Sequence, residues 1–165
     1  MRYIEIVELT ECHSCEDISE CLVDRDIIGN TIIWIEVAGL KHPFPLEGMV
    51  RVDGTPVHKS IREAVTNMAI NADYLITGIL KIVKSKKGFV FSNPGTLKLP
   101  LSAIYEGGYS VARNPRIQTM FRMIGYGDNI GSGFPAILCA WGEESWHKPD
   151  LSQNEELHQV ELKLW

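Results

Sequence analysis

Residues 55–74 read TPVHKSIREAVTNMAINADY, and this stretch decides the fold. Thr55 suits an N-cap and Pro56 the first helical position, where its missing N–H costs nothing. Val57, Ile61, Ala64, Val65, Met68, Ala69 and Ala72 then recur at helical spacing. Such a stripe must pack on a sheet or a second helix. Glu63, Asn67 and Asn71 form one i, i+4 ridge beside it. A polar ridge bordering an apolar stripe marks where a cleft between helix and sheet would open.

Working outward, Arg2 to Leu9 alternates weakly as a strand, residues 10–30 are acidic and poorly patterned, and Thr31 to Ala38 reads as a strand. Residues 39–56 are rich in Gly and Pro and read as a long connection. Ile79 to Lys84 and Phe89 to Ser92 read as a hairpin, stopped by Asn93-Pro94-Gly95. A short helix is expected over Leu101 to Tyr105. A second begins at Asn114-Pro115, shows Ile117, Met120, Phe121 and Ile124 on one face, and ends with Gly125 at C′. Phe134 to Trp141 reads as another helix, closed by Gly142. His158 to Trp165 reads as a final strand with Val160, Leu162 and Leu164 inward. Helices mixed with hairpin strands predict an α/β (α+β) two-layer sandwich, a mixed sheet with helices on one face.

The chain has 165 residues, 45% of them hydrophobic, and a net charge of −5. That is enough apolar material for one domain with a real core, and it excludes disorder as the main state. No apolar run is long enough to cross a membrane, and acidic residues interrupt any leader at the start. Charge is unevenly placed. Residues 81–122 carry eight basic side chains against Glu106 alone, whereas 1–30 carry two basic and eight acidic. A local positive field attracts phosphates. Lys81, Lys84, Lys86 and Lys87 also read simply as the solvated side of a strand pair. Cys12, His13, Cys15 and Cys21 resemble half of a metal or redox motif without its second pair, and reduced thiols are the plainer reading. Trp34, Trp141, Trp146 and Trp165 are expected to serve packing.

A nucleotide hydrolase needs a carboxylate to orient or deprotonate water and an oxygen ligand for magnesium. Glu63 and Asn67, one turn apart, can supply both. Three glycine-containing segments lie downstream, at Asn93-Pro94-Gly95, Gly107-Gly108-Tyr109-Ser110 and Gly131-Ser132-Gly133. Glycines before a helix let backbone N–H groups approach a phosphate. No Walker pattern and no complete dinucleotide fingerprint is present.

Residues 61–74, then Ser92-Asn93-Pro94-Gly95, Ser110-Val111-Ala112-Arg113-Asn114-Pro115 and Gly131-Ser132-Gly133-Phe134, resemble in this order the RecG-like, Schlafen/AlbA-associated ATP-binding domain. That domain is a divergent branch of the GHKL ATPases, which include gyrase, histidine kinases and MutL. The resemblance covers roughly 43–165 and leaves 1–42 as an unassigned extension. It implies ATP and Mg²⁺ as cofactors, with Glu63 as general base and Asn67 as magnesium ligand. Asn71 and Asp73 would line the nucleotide cleft, and Asn93 and Gly95 would face the adenine. Gly107, Gly108, Ser110, Arg113 and Asn114 would form the lid and phosphate region, with Gly131 and Gly133 near the phosphates.

Two departures stand out. Adenine is commonly read in GHKL ATPases by an Asp in an Asp-x-Gly-x-Gly box, and Asn93 stands there instead, as is usual in the RecG-like branch. A His is usual in that branch where Asn71 stands. No helicase motor motif accompanies the domain. The expected role is the nucleotide-binding, weakly ATP-hydrolysing domain of a transcriptional regulator or RecG-like protein in the cytoplasm. The expected partners are a nucleotide and a second copy of the chain. DNA would be reached only through a domain outside this sequence, and no membrane is involved. The alternatives are a degenerate module used for dimerisation or partner contact, and nucleic-acid binding by 81–122.

Overall fold

Thr55 and Pro56 start a helix as their chemistry demands. The computed structural model describes residues 4–8, 46–47, 50–51, 54–126 and 133–165. In it α1 spans Pro56–Asn71, with Thr55 as N-cap accepting from His58 N–H. The whole expected stripe, Val57 to Ala72, is buried. Each such large aliphatic side chain, fully buried, contributes about 1.5–3 kcal/mol. Ile70, His58, Ser60 and Thr66 are buried as well, so α1 is enclosed on more than its apolar face.

The sheet facing it grows from a two-residue hairpin. β4 (Leu80–Ser85) and β5 (Gly88–Pro94) pair antiparallel with Ser85 opposite Gly88, leaving Lys86 and Lys87 in the turn. β7 (Gln159–Leu164) pairs antiparallel with β5, and β6 (Asp150–Asn154) with β7. β1 (Ile4–Glu8) lies parallel to β4, so the segment 1–42 contributes a strand to the main sheet. The order is β1-β4-β5-β7-β6. This is the expected mixed sheet, with four strands antiparallel.

Strand alternation sets the core. Leu80 and Ile82, Phe89 and Phe91, and Val160, Leu162 and Leu164 are buried. Most of them join one cluster with α1 and with Phe134, Ile137, Ala140 and Trp141 of α4 (Gly133–Glu143). The two helices pack on each other, and α1 lies against β5. Lys81, Val83, Val90, Glu161 and Lys163, at the intervening positions, are half-buried. α2 (Leu101–Glu106) leans on α4, and α3 (Pro115–Met123) meets α1 through Phe121. Trp141 is buried and donates to the Trp165 carbonyl, and Trp146 packs edge-on against it.

Several expectations need correction. Asn93 and Pro94 do not break β5 but belong to it, opposite Val160 and Gln159, and Gly95 follows at φ +114°. The connection 39–56 contains the small antiparallel pair β2 (Leu46–Glu47) and β3 (Val50–Arg51). On α3 only Phe121 is buried, while Met120 and Ile124 are exposed at 66% and 62%. Gly142 lies within α4 instead of ending it. β6 was not expected at all. The strand expected at Thr31 to Ala38 and the cysteines Cys12, Cys15 and Cys21 lie outside the described residues. No helix among the described residues is long and apolar enough to cross a membrane.

Candidate functional site

The polar ridge of α1 forms one wall of a cleft. Glu63, Asn67 and Asn71 all line it. Asn67 Nδ2 donates to Glu63 Oε1 at 3.0 Å, and Asn71 Nδ2 donates to the Asn67 carbonyl at 3.0 Å. Phe91, Val160 and Leu162 supply an apolar floor from the sheet, with Asn93 beside them. Gly133 and Phe134, at the start of α4, form the next side, and residues 96–99 and 109–112 form the mouth. The space between these walls, open mouth and adjoining solvent included, is about 1160 Å³.

Glu63 is the ionisable centre of this cleft. Burial raises its pKa above the ordinary carboxyl value, and the hydrogen bond from Asn67 opposes that rise without cancelling it. The carboxylate lies directly against Gly133, where a Cβ would collide with Glu63 Oε1. Asn67 commits its nitrogen to Glu63, so its side-chain oxygen is the atom left for a cation. Asn93 is buried and its Nδ2 donates to the Pro94 carbonyl at 3.2 Å. Among the described residues no group of three or more His, Cys, Asp or Glu could hold a metal.

A separate cluster closes the C-terminal end of α1. A helix leaves its last carbonyls without internal partners, and here each one from Ala69 to Ala72 finds a donor. Tyr74 O–H serves Ala69, and Asn114 N–H and Nδ2 both serve Ile70. Arg113 Nε serves Asn71 at 3.2 Å, and Asn114 Nδ2 serves Ala72 at 2.7 Å. The Arg113 guanidinium also pairs with Asp73 at 3.1 Å and donates to the Thr96 carbonyl at 2.7 Å. Asn114 is the N-cap residue of α3, yet it makes no side-chain cap bond there. Its amide works on the other helix.

The structure therefore divides the residues singled out by sequence. Glu63, Asn67, Asn71, Asn93, Ser110 and Gly133 come together around the cleft. Asp73, Arg113 and Asn114 form the clamp behind it. Gly95 sits there too, close to Asp73 and Arg113. Gly107 and Gly108 follow α2 and do not line the cleft, and Gly131 lies outside the described residues. Phe91, Met68, Lys98 and Gln118 line it and were not anticipated. Alternation along β5 could have flagged Phe91. Nothing local marks Lys98 or Gln118.

Comparison with known proteins agrees with this architecture. Among solved structures, the DIP2311 protein from Corynebacterium diphtheriae matches with a TM-score of 0.68 at 19% identity. The match covers 98% of this chain and 34% of that one, and at such identity it shows the fold alone. A search of curated proteins finds no match. A family profile matches residues 88–162, from the start of β5 into β7, so α1 with Glu63 and Asn67 is brought beside the matched segment by the fold. The resemblance read from the sequence is thus borne out over 88–162, which match the GHKL-like ATPase family described as "Putative ATP-dependent DNA helicase recG C-terminal".

Proposed function

We propose that this chain is the ATP-binding, Mg²⁺-dependent ATPase domain of a RecG-like protein or transcriptional regulator. The carrying observation is the half-buried Glu63 carboxylate held by Asn67 in the cleft wall, against the first residue of α4. A carboxylate with a raised pKa is the stronger base, which suits it to take a proton from water. Asn67 offers one neutral oxygen. That fits Mg²⁺, which uses few protein ligands and completes its shell with phosphate and water. When bound, the ion would neutralise phosphate charge. Asn93, with its nitrogen committed to Pro94, keeps an oxygen that can accept from an exocyclic amine such as that of adenine. Arg113 is held by Asp73, Asn71 and Thr96, so its part in this reading is to tie the mouth segments to α1.

The test is thermal unfolding with and without excess ATP·Mg²⁺ on the wild type and Asn67→Ala. Ligand at about a hundred times its Kd stabilises by roughly 2.7 kcal/mol. At about 2–4 °C per kcal/mol for this size, that is a rise of roughly 5–11 °C in Tm. Asn67→Ala should abolish it. No shift in the wild type at millimolar ATP would overturn the proposal. A second reading, a module that has lost nucleotide binding and serves partner contact, draws on the exposed Met120 and Met123 of α3 and Ile124 just after it. It predicts no thermal shift together with a concentration-dependent oligomer.

A further inference from the structure

Gly133 is the first residue of α4 and stands across the cleft wall from Glu63. A methyl group there would meet three consecutive atoms of the Glu63 side chain: Oε1 in collision, Cδ at 2.7 Å and Cγ at 3.0 Å. These atoms belong to the far end of a flexible side chain. The opposite party, α4, is anchored by Ile137, Ala140 and Trp141 in the core. Any side chain at 133 would therefore be accommodated by Glu63 swinging away, and its bond to Asn67 would break. Gly133 shows no left-handed φ, so the backbone itself would accept alanine.

We propose that Gly133 is a positioning residue. Its missing side chain creates the slot in which the Glu63 carboxylate is held beside Asn67, so position 133 sets where the base stands. This rests on the ATPase reading for its consequence in turnover, but the placement of Glu63 can be tested without nucleotide. The usual role for a glycine before a helix is to admit a phosphate to the backbone N–H groups. The contact with Glu63 gives Gly133 a different role, exercised in the ligand-free protein.

The experiment compares Gly133→Ala with Gly142→Ala. Gly142 lies in the same helix, and a Cβ there meets nothing within 4 Å, so it controls for the helix preference of alanine over glycine. Gly142→Ala should keep or raise Tm, and Gly133→Ala, in which the lost Glu63–Asn67 bond offsets the gain in helix preference, should stay near the wild type. In the free protein, Gly133→Ala should shift the Asn67 side-chain amide NMR signals in the same direction as Glu63→Ala does, and Gly142→Ala should leave them in place. In turnover, Gly133→Ala should lower kcat about 10²-fold with little change in KM for ATP·Mg²⁺, and it should add nothing in a Glu63→Ala background. Unmoved Asn67 signals in Gly133→Ala would overturn the positioning role. Absence of turnover and of nucleotide binding in the wild type would overturn the ATPase reading instead, while the NMR comparison would still decide the role of Gly133.

Discussion

Asn114 offers a sharp test of the clamp. By its place before Pro115 it is an N-cap residue, and at an N-cap Asp serves as well as Asn. The structure gives its amide a different task, donating to Ile70 and Ala72 at the opposite kind of helix end. Asn114→Ala removes both bonds and leaves the Ala72 carbonyl without its donor. Each net hydrogen bond contributes about 0.5–1.5 kcal/mol, so the loss is about 1–3 kcal/mol. At about 2–4 °C per kcal/mol, Tm should fall by roughly 2–12 °C. Asn114→Asp should be worse. Its carboxylate cannot donate, and it faces two carbonyl oxygens at the negative end of α1, which adds about 0.3–1 kcal/mol. Protonation restores a donor, so the excess over alanine should shrink as pH falls to about 4. The folded state disfavours the charged form there, so the stability of this variant is lost as pH rises through the Asp range. Urea denaturation of the three proteins at neutral and acid pH measures all of this. An Asn114→Asp protein as stable as the wild type at pH 7 would refute the clamp and restore the ordinary N-cap.

Glu63→Gln keeps an acceptor for Asn67 but removes the buried charge. Because the folded-state pKa of Glu63 is raised by burial, its contribution is fully present below the unfolded carboxyl value and is lost as pH rises through the folded one. The variant should therefore match the wild type in acid and exceed it at neutral pH, and urea midpoints across that range would contradict this if the wild type gained on the variant as pH rose. Thr66 is 1% exposed and its hydroxyl has no hydrogen-bond partner among the described residues. Thr66→Val keeps the shape and removes the burial cost, so Tm should rise by roughly 2–4 °C, for about 1 kcal/mol. A fall would show that the hydroxyl has a partner.

The site's charge balance follows from the same geometry. Of the arginines in the basic block, Arg113 is committed to Asp73 and to backbone carbonyls. Lys98 is the cation that lines the cleft among the described residues. The positive field seen in the sequence is therefore spent partly on holding the fold and partly at the mouth.

The sequence by itself determined α1, its cap and its buried stripe, because helical period and N-cap chemistry are local. It determined β7 too, since Val160, Leu162 and Leu164 alternate without interruption. It also placed Glu63 and Asn67 on one ridge, because i, i+4 spacing is a property of the helix alone. β6 was illegible. Asp150–Asn154 holds one apolar residue, Leu151, and its pairing to β7 comes from backbone bonds that leave no pattern. Met120 and Ile124 look like core on a helical wheel, and only the position of α3 against α1 decides that Phe121 is buried and Ile117 partly covered while those two stay exposed. The largest decisions belong to tertiary structure. Asn114 works on carbonyls more than forty positions earlier, and the bare backbone at Gly133 makes room for Glu63. Both depend on which surfaces meet when helices close over a sheet, a relation between distant segments that no local pattern records.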